Sequence, residues 1–107
     1  RLYSKNIRNK ESAKPISYSA VKAGVHGITK YISTYYPGSK LRCNSLSPGG
    51  IYNFQSKEFV KKISKLIPMS RMADKFEYIG VVQFLCSDSS IYLNGQNIVM
   101  DGGRSVW

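Results

Sequence analysis

Acidic side chains are scarce in this sequence. Six aspartates and glutamates stand against sixteen lysines and arginines in 107 residues, a formal net charge of +10. Such a balance suits nucleic acid, an anionic cofactor or an acidic surface. The cations are dispersed, however. Arg1, Lys5, Arg8, Lys10 and Lys14 lie in a polar stretch opposed only by Glu11, and Lys57, Lys61, Lys62 and Lys65 ride an expected helix. No zinc-finger spacing or RNA-binding aromatic signature accompanies them. A solvated basic surface is the default reading, and a basic nucleic-acid-binding module is kept as an alternative.

Cysteine is scarce too. Cys43 and Cys86 provide neither a disulfide framework nor metal-ligand spacing. They read as buried, reduced thiols of a cytoplasmic protein, and no metal site is expected. No apolar run is long enough to span a bilayer. The opening Arg1-Leu2-Tyr3-Ser4 lacks the apolar stretch of a signal peptide. It also lacks a methionine, so the sequence is expected to start partway through a longer chain. A content of 42% apolar and 21% charged residues fits one small globular domain.

Periodicity then orders the chain. Residues 1–15 are polar and aperiodic and read as a loop closed by Pro15. Val21, Val25, Ile28 and Ile32 recur at helical steps between Ser17 and Tyr36, which predicts a helix with that row as its buried face. Pro37-Gly38 should stop it. Leu41, Cys43 and Ser45 alternate with polar residues and predict a short strand that ends at Pro48, followed by a Gly49-Gly50 loop. Phe59, Val60, Ile63, Leu66 and Ile67 predict an amphipathic helix stopped by Pro68. Asp74 and Glu77 form a capping-box pattern before a helix carrying Ile79, Val82, Leu85 and Cys86. Asn94-Gly95 marks a turn, and "QNIVM" a last strand that leaves through Asp101-Gly102-Gly103. Strands separated by helical connections should lie parallel, in a sheet covered on both faces. The expected class is α/β.

Tyr18 and Lys22 are four residues apart and share a helix face. A free phenol has a pKa of about 10, and a neighbouring ammonium favours its phenolate. General acid/base work is most efficient when the catalytic group titrates near the working pH. Taken alone, the spacing is more readily accidental than catalytic in a chain with eight tyrosines and many lysines.

Three motifs in order give it context: "YSAVKAG" at 18–24, "LRCNSLSPGGI" at 41–51 and "FLCSDSSIYLNGQNIVMDGG" at 84–103. Together they resemble the C-terminal half of the short-chain dehydrogenase/reductase family, over residues 15–103. The resemblance implies the C-terminal part of a doubly wound parallel-sheet Rossmann fold, with the N-terminal dinucleotide-binding half absent. Residues 1–15 then form a polar insert, and 16–103 the catalytic and substrate-binding half. It implies an oxidoreductase that interconverts an alcohol and a carbonyl with NAD or NADP. Tyr18 matches the catalytic acid/base. Lys22 matches the lysine that lowers the tyrosine pKa and hydrogen-bonds the nicotinamide ribose. Pro48 and Gly49 match the turn beside the nicotinamide, and Ile51 a position whose backbone meets the carboxamide. Asn44 matches a strand-positioning residue, and Asp101, Gly102 and Gly103 a structural closing strand. Residues 52–70 match the substrate-covering segment, where Phe59, Val60 and Ile63 form a lid or pack onto the domain. Lys57 and Lys61 face an anionic substrate group or plain solvent. The implied partners are a small-molecule substrate, such as a sugar or sugar nucleotide, and further copies of the chain. The polar insert points toward members linked to surface-glycan or flagellin modification.

The departures are as informative. The glycine-rich phosphate loop is missing, since neither Gly49-Gly50 nor Gly102-Gly103 has the required spacing. The residue that selects NAD or NADP is missing with it. Ser4 lies near the distance of the family's catalytic serine but follows no apolar strand, so it is not assigned that role. Tyr52, Asn53 and Phe54 occupy the place of the usual threonine. These 107 residues alone are therefore expected to be inactive, and a non-catalytic assembly subunit is a further alternative. His26 reads as a packing or surface residue, and Trp107 as a subunit contact or a frayed end.

Overall fold

The computed structural model describes residues 14–107. The insert expected over 1–15, and Ser4 within it, lie outside the described residues apart from Lys14 and Pro15. The order of elements is α1 (Ile16–Tyr35), β1 (Ser45–Pro48), α2 (Lys57–Ser64), α3 (Ile79–Cys86) and β2 (Asn97–Met100). A 3-10 turn, Lys75–Tyr78, leads directly into α3. The two strands pair in parallel, with Ser45 opposite Asn97 and Pro48 opposite Met100. An α/β unit with a parallel sheet is therefore observed as expected.

The first strand starts later than the alternation suggests, at Ser45 rather than Leu41. Side chains and a turn already occupy the backbone before it. Cys43 N–H donates to Asn94 Oδ1 at 2.9 Å, and Gln96 N–H donates to Asn44 Oδ1 at 3.0 Å. Asn44 Nδ2 also donates to the Leu93 carbonyl at 2.9 Å. Asn44 thus positions the entry to both strands, and ladder pairing begins only beyond it.

The second helix also shifts. Ser56 caps it by accepting from Phe59 N–H, and it ends at Ser64, well before Pro68. The chain leaves the helix because Ile67, almost fully buried, packs against the exit of β2. A Cβ on Gly102 would lie 2.7 Å from Ile67 Cγ2. The capping box forms as read: Phe76 N–H donates to Asp74 Oδ1, and Asp74 N–H to Glu77 Oε2.

Three burial expectations fail among the described residues. Of the expected row, Val21, Val25 and Ile28 are exposed, Val21 at 67% and Ile28 at 60%, and Ile32 alone is half-buried, so most of that row is not the covered face. The covered side carries His26, Thr29 and Ser33 instead. Close backbone approach selects small polar residues there. Asn94 Nδ2 donates to the Ser33 carbonyl at 2.9 Å, and a Cβ on Gly95 would lie 2.8 Å from Ser33 Oγ. The buried thiols are the second failure. Both cysteines are free, but Cys43 is half-buried and Cys86 is exposed at the end of α3, where no element covers it among the described residues. Nor is the sheet sealed on both faces, since Val99 is exposed. The apolar core instead gathers Ile67, Met72 and Tyr78 around the ends of the strands.

Arg42 was not singled out by its sequence context, yet it joins three segments. Its guanidinium donates to the carbonyls of Leu85, Ser87 and Leu93 at 2.9, 3.4 and 3.2 Å. It therefore closes the C-terminal end of α3, where carbonyls lack helical partners and a cation is favoured. Replacing Arg42 with methionine should destabilise the protein by about 2–4 kcal/mol, because charge-assisted hydrogen bonds are lost and carbonyls are left unpaired. Urea unfolding of the two proteins measures the difference.

Candidate active site

Parallel pairing brings the exits of β1 and β2 to one end of the sheet. Gly49 N–H donates to the Met100 carbonyl at 2.9 Å. A Cβ on Gly49 would lie 2.6 Å from the Asp101 Cα, so no larger residue fits between the two turns. Tyr78 reaches the same place, where its hydroxyl donates to the Met100 carbonyl at 3.1 Å. Burial raises the Tyr78 pKa, and the nearby Gly49 N–H opposes that rise. Asp101 holds the β2 exit by accepting from Gly103 N–H at 2.9 Å and Ser105 N–H at 2.7 Å. The Ser105 side-chain hydroxyl leads the causes that lower the Asp101 pKa, ahead of these backbone N–H groups. Asp101, Gly102 and Gly103 thus have structural work, and Gly49 shares it.

Beyond Gly49 the chain bridges to Ala73. Ala73 N–H donates to the Gly50 carbonyl, and Tyr52 N–H to the Ala73 carbonyl, at 2.9 and 2.8 Å. Ile51 sits between these bonds. Its own N–H has no backbone partner among the described residues. Its carbonyl accepts from Gln55 Nε2 at 3.0 Å and keeps a second lone pair.

Tyr18 and Lys22 lie on one face of α1. Lys22 Nζ is 5.7 Å from the centre of the Tyr18 ring, and the tyrosine is 39% exposed, so the phenol is not sealed in a core. Lys14 is closer still, at 4.1 Å. It precedes Tyr18 by the same four residues by which Lys22 follows it, and that symmetry was the available sequence signal. Pro15 opens α1, whose first turn holds no acidic residue, so the ring also sits near the positive end of the helix dipole. Among the described residues no hydrogen bond joins this pair to Pro48, Gly49 or Ile51. Tyr18 and Lys22 stand together on α1, Pro48, Gly49 and Ile51 follow one another at the exit of β1, and the described contacts do not link the two groups. His26 stands one turn beyond Lys22 with its Nδ1 buried and unpartnered. No cluster of three or more potential metal ligands occurs among the described residues.

Residues 4–105 match the family model described as enoyl-(acyl carrier protein) reductase. The D-arabinitol 2-dehydrogenase (ribulose-forming) of Candida tropicalis is 34% identical over 98 residues, covering 84% of this chain and 35% of that protein. The post-translational flagellin modification protein A of Campylobacter coli is 31% identical over 98 residues, covering 92% and 38%. The crystal structure of a short-chain dehydrogenase from Leptospira borgpetersenii with bound NAD+ superposes with a TM-score of 0.82 at 35% identity. It matches 97% of this chain and 41% of that one. The chain belongs to the short-chain dehydrogenase/reductase family. It spans 35% to 41% of the length of these relatives.

An ion pair braces the strand-exit end. Arg71 grips Glu77 through both guanidinium ends, at 2.7 and 2.6 Å. Its hydrogen bond, followed by the Asp74 backbone N–H, lowers the Glu77 pKa from 4.5 to about 2. A depressed carboxylate pKa contributes stability above the unfolded value, which is lost as pH falls through the folded one. Acid unfolding should therefore steepen between about pH 4.5 and pH 2. Glu77→Gln should lower stability at neutral pH and flatten the curve in that window, as followed by circular dichroism.

Proposed function

We propose that this chain is the catalytic part of an NAD(P)-dependent oxidoreductase that interconverts an alcohol and a carbonyl. The observation that carries the reading is a half-exposed phenol with two ammonium groups beside it at the start of α1. Membership of the family supports it. Tyr18 acts as the general acid/base at the substrate oxygen. Lys22, with Lys14 beside the same ring, brings positive charge to the place where that proton is exchanged. Lys22 also bonds the nicotinamide ribose. The cofactor, NAD or NADP, supplies the hydride acceptor or donor when bound.

The residues present fit the nicotinamide end of that cofactor. Ile51 offers a free N–H and a carbonyl lone pair, and Pro48 and Gly49 form the turn beside them. They do not supply the phosphate end, because no glycine-rich strand-to-helix turn occurs in the 107 residues. Turnover therefore belongs to a protein that also has that turn. A cytoplasmic location and a small-molecule substrate go with this reading. Relatives named for D-arabinitol and for flagellin modification support a sugar-type substrate and a role in surface-glycan chemistry. The exposed apolar row on α1 supports association of copies.

Tyr18→Phe in the full-length protein should reduce kcat by about 10²–10⁴-fold, the range for losing a general acid/base. NAD(P)+ binding should stay close to wild type. Lys22→Met should lower kcat and also weaken cofactor binding. Initial rates of NAD(P)H formation and cofactor titration measure both, and normal turnover in the phenylalanine variant would refute the assignment.

A further inference from the structure

Ile51 and Ala73 form a parallel bridge outside the two strands. Gly50 and Tyr52 make its two hydrogen bonds, one to each backbone group of Ala73. Successive peptide groups of an extended chain point to opposite edges, so the N–H and carbonyl of Ile51 face away from Ala73. The Gln55 amide, which donates to the Ile51 carbonyl at 3.0 Å, lies on that other edge. Where Ala73 stands therefore sets where the Ile51 groups aim. Ala73 itself has only a methyl group with which to hold its place. Its neighbours are held instead, and by one ion pair. Arg71 Nη1 donates to the Met72 carbonyl at 3.2 Å and to Glu77 Oε2 at 2.7 Å, while Nη2 donates to Glu77 Oε1 at 2.6 Å. Glu77 Oε2 also accepts from Asp74 N–H at 2.7 Å. The pair thus takes the carbonyl before Ala73 and the N–H after it, and leaves both groups of Ala73 to Gly50 and Tyr52. On the inner side Met72 is buried, and a Cβ on Gly50 would lie 3.3 Å from its Cε.

We infer that Arg71 and Glu77 are positioning residues for the carboxamide of the nicotinamide cofactor. Through Ala73 they hold the Ile51 N–H and carbonyl in the direction that a primary amide meets. The inference rests on the oxidoreductase reading, which brings the carboxamide to Ile51. A planar guanidinium joined to a carboxylate by two parallel bonds fixes angle as well as distance. Here that fixed angle is passed to the backbone on either side of Ala73, and from Ala73 across the bridge. Lysine, a point charge on a flexible stem, reproduces the charge at position 71 and not the angle.

The test uses the full-length protein. Its probes are NAD+ and NADP+, their acetylpyridine analogues, and ADP-ribose, plain or phosphorylated as in NADP+. The analogues carry an acetyl group for the carboxamide and have no N–H to give to the Ile51 carbonyl. ADP-ribose lacks the nicotinamide altogether. In the wild type, calorimetric titration should show the dinucleotide binding more tightly than its acetyl analogue. Arg71→Met, Arg71→Lys and Glu77→Gln should each shrink that preference about three- to tenfold, the worth of one hydrogen bond. Affinity for ADP-ribose should stay at the wild-type value. In the cofactor-free protein, amide exchange should quicken at Tyr52 and Ala73 and stay unchanged at Gly49, whose bond to Met100 lies outside the clamp. The inference is overturned if the wild type shows no preference, or if the preference survives in all three variants. It is equally overturned if ADP-ribose affinity falls in step with that of the dinucleotide, or if exchange quickens at Gly49 as much as at Tyr52, because the pair is then a general brace. A wild type that binds neither dinucleotide would sink the oxidoreductase reading and this inference with it. Intact binding with an unchanged preference would sink the inference alone.

Discussion

Two four-residue strands running side by side in the same direction impose the main constraint on this structure. Parallel pairing sends both chain exits out of one end of the sheet. The exits then approach so closely that Gly49 and Asp101 meet backbone to backbone. Everything at that end follows from this contact. Tyr78 closes over it, Ile67 and Met72 fill the space beneath, and Asp101 turns the chain away through its two carboxylate hydrogen bonds. In parallel α/β sheets, ligands bind outside the carboxyl ends of the strands. The best-packed region is thus the one that presents Ile51 and the loop after it.

The opposite end is built differently. Polar side chains replace apolar packing where the strands begin. Asn44, Asn94 and Asn97 exchange hydrogen bonds with the backbone and with Ser45 and Ser47. Arg42 anchors α3 to the same corner. These groups set which residues pair, and hence which residue emerges at position 51. Strand register and site geometry are one constraint seen from two ends.

Much of this was legible in sequence for identifiable reasons. Pro15 and Pro37-Gly38 bracket α1 because proline and glycine limit a helix through local backbone chemistry. The Asp74–Glu77 box is local, so it forms as read. Tyr18 and Lys22 share a face because four residues make about one helical turn. Other readings depended on neighbours distant in the chain. Val21 and Ile28 carry the pattern of a buried face, but burial needs a covering surface, and α1 meets its neighbours through Thr29 and Ser33. Lys14 joined the phenol although it precedes the helix, which periodicity does not test. Arg42 resembled any surface cation, because its three acceptors lie more than forty residues away.

The amino-acid sequence by itself determined the order of elements, the parallel α/β class and the family resemblance, and it placed Tyr18 and Lys22 on one helix face. The family rests on a resemblance carried by three motifs in order, and the others on local backbone preference and on spacing along one helix. Only the tertiary structure decided the face that α1 turns inward, the residues where β1 begins and the second ammonium at Tyr18. Those features come from contacts and from hydrogen bonds claimed by distant partners, and a linear pattern does not carry that information.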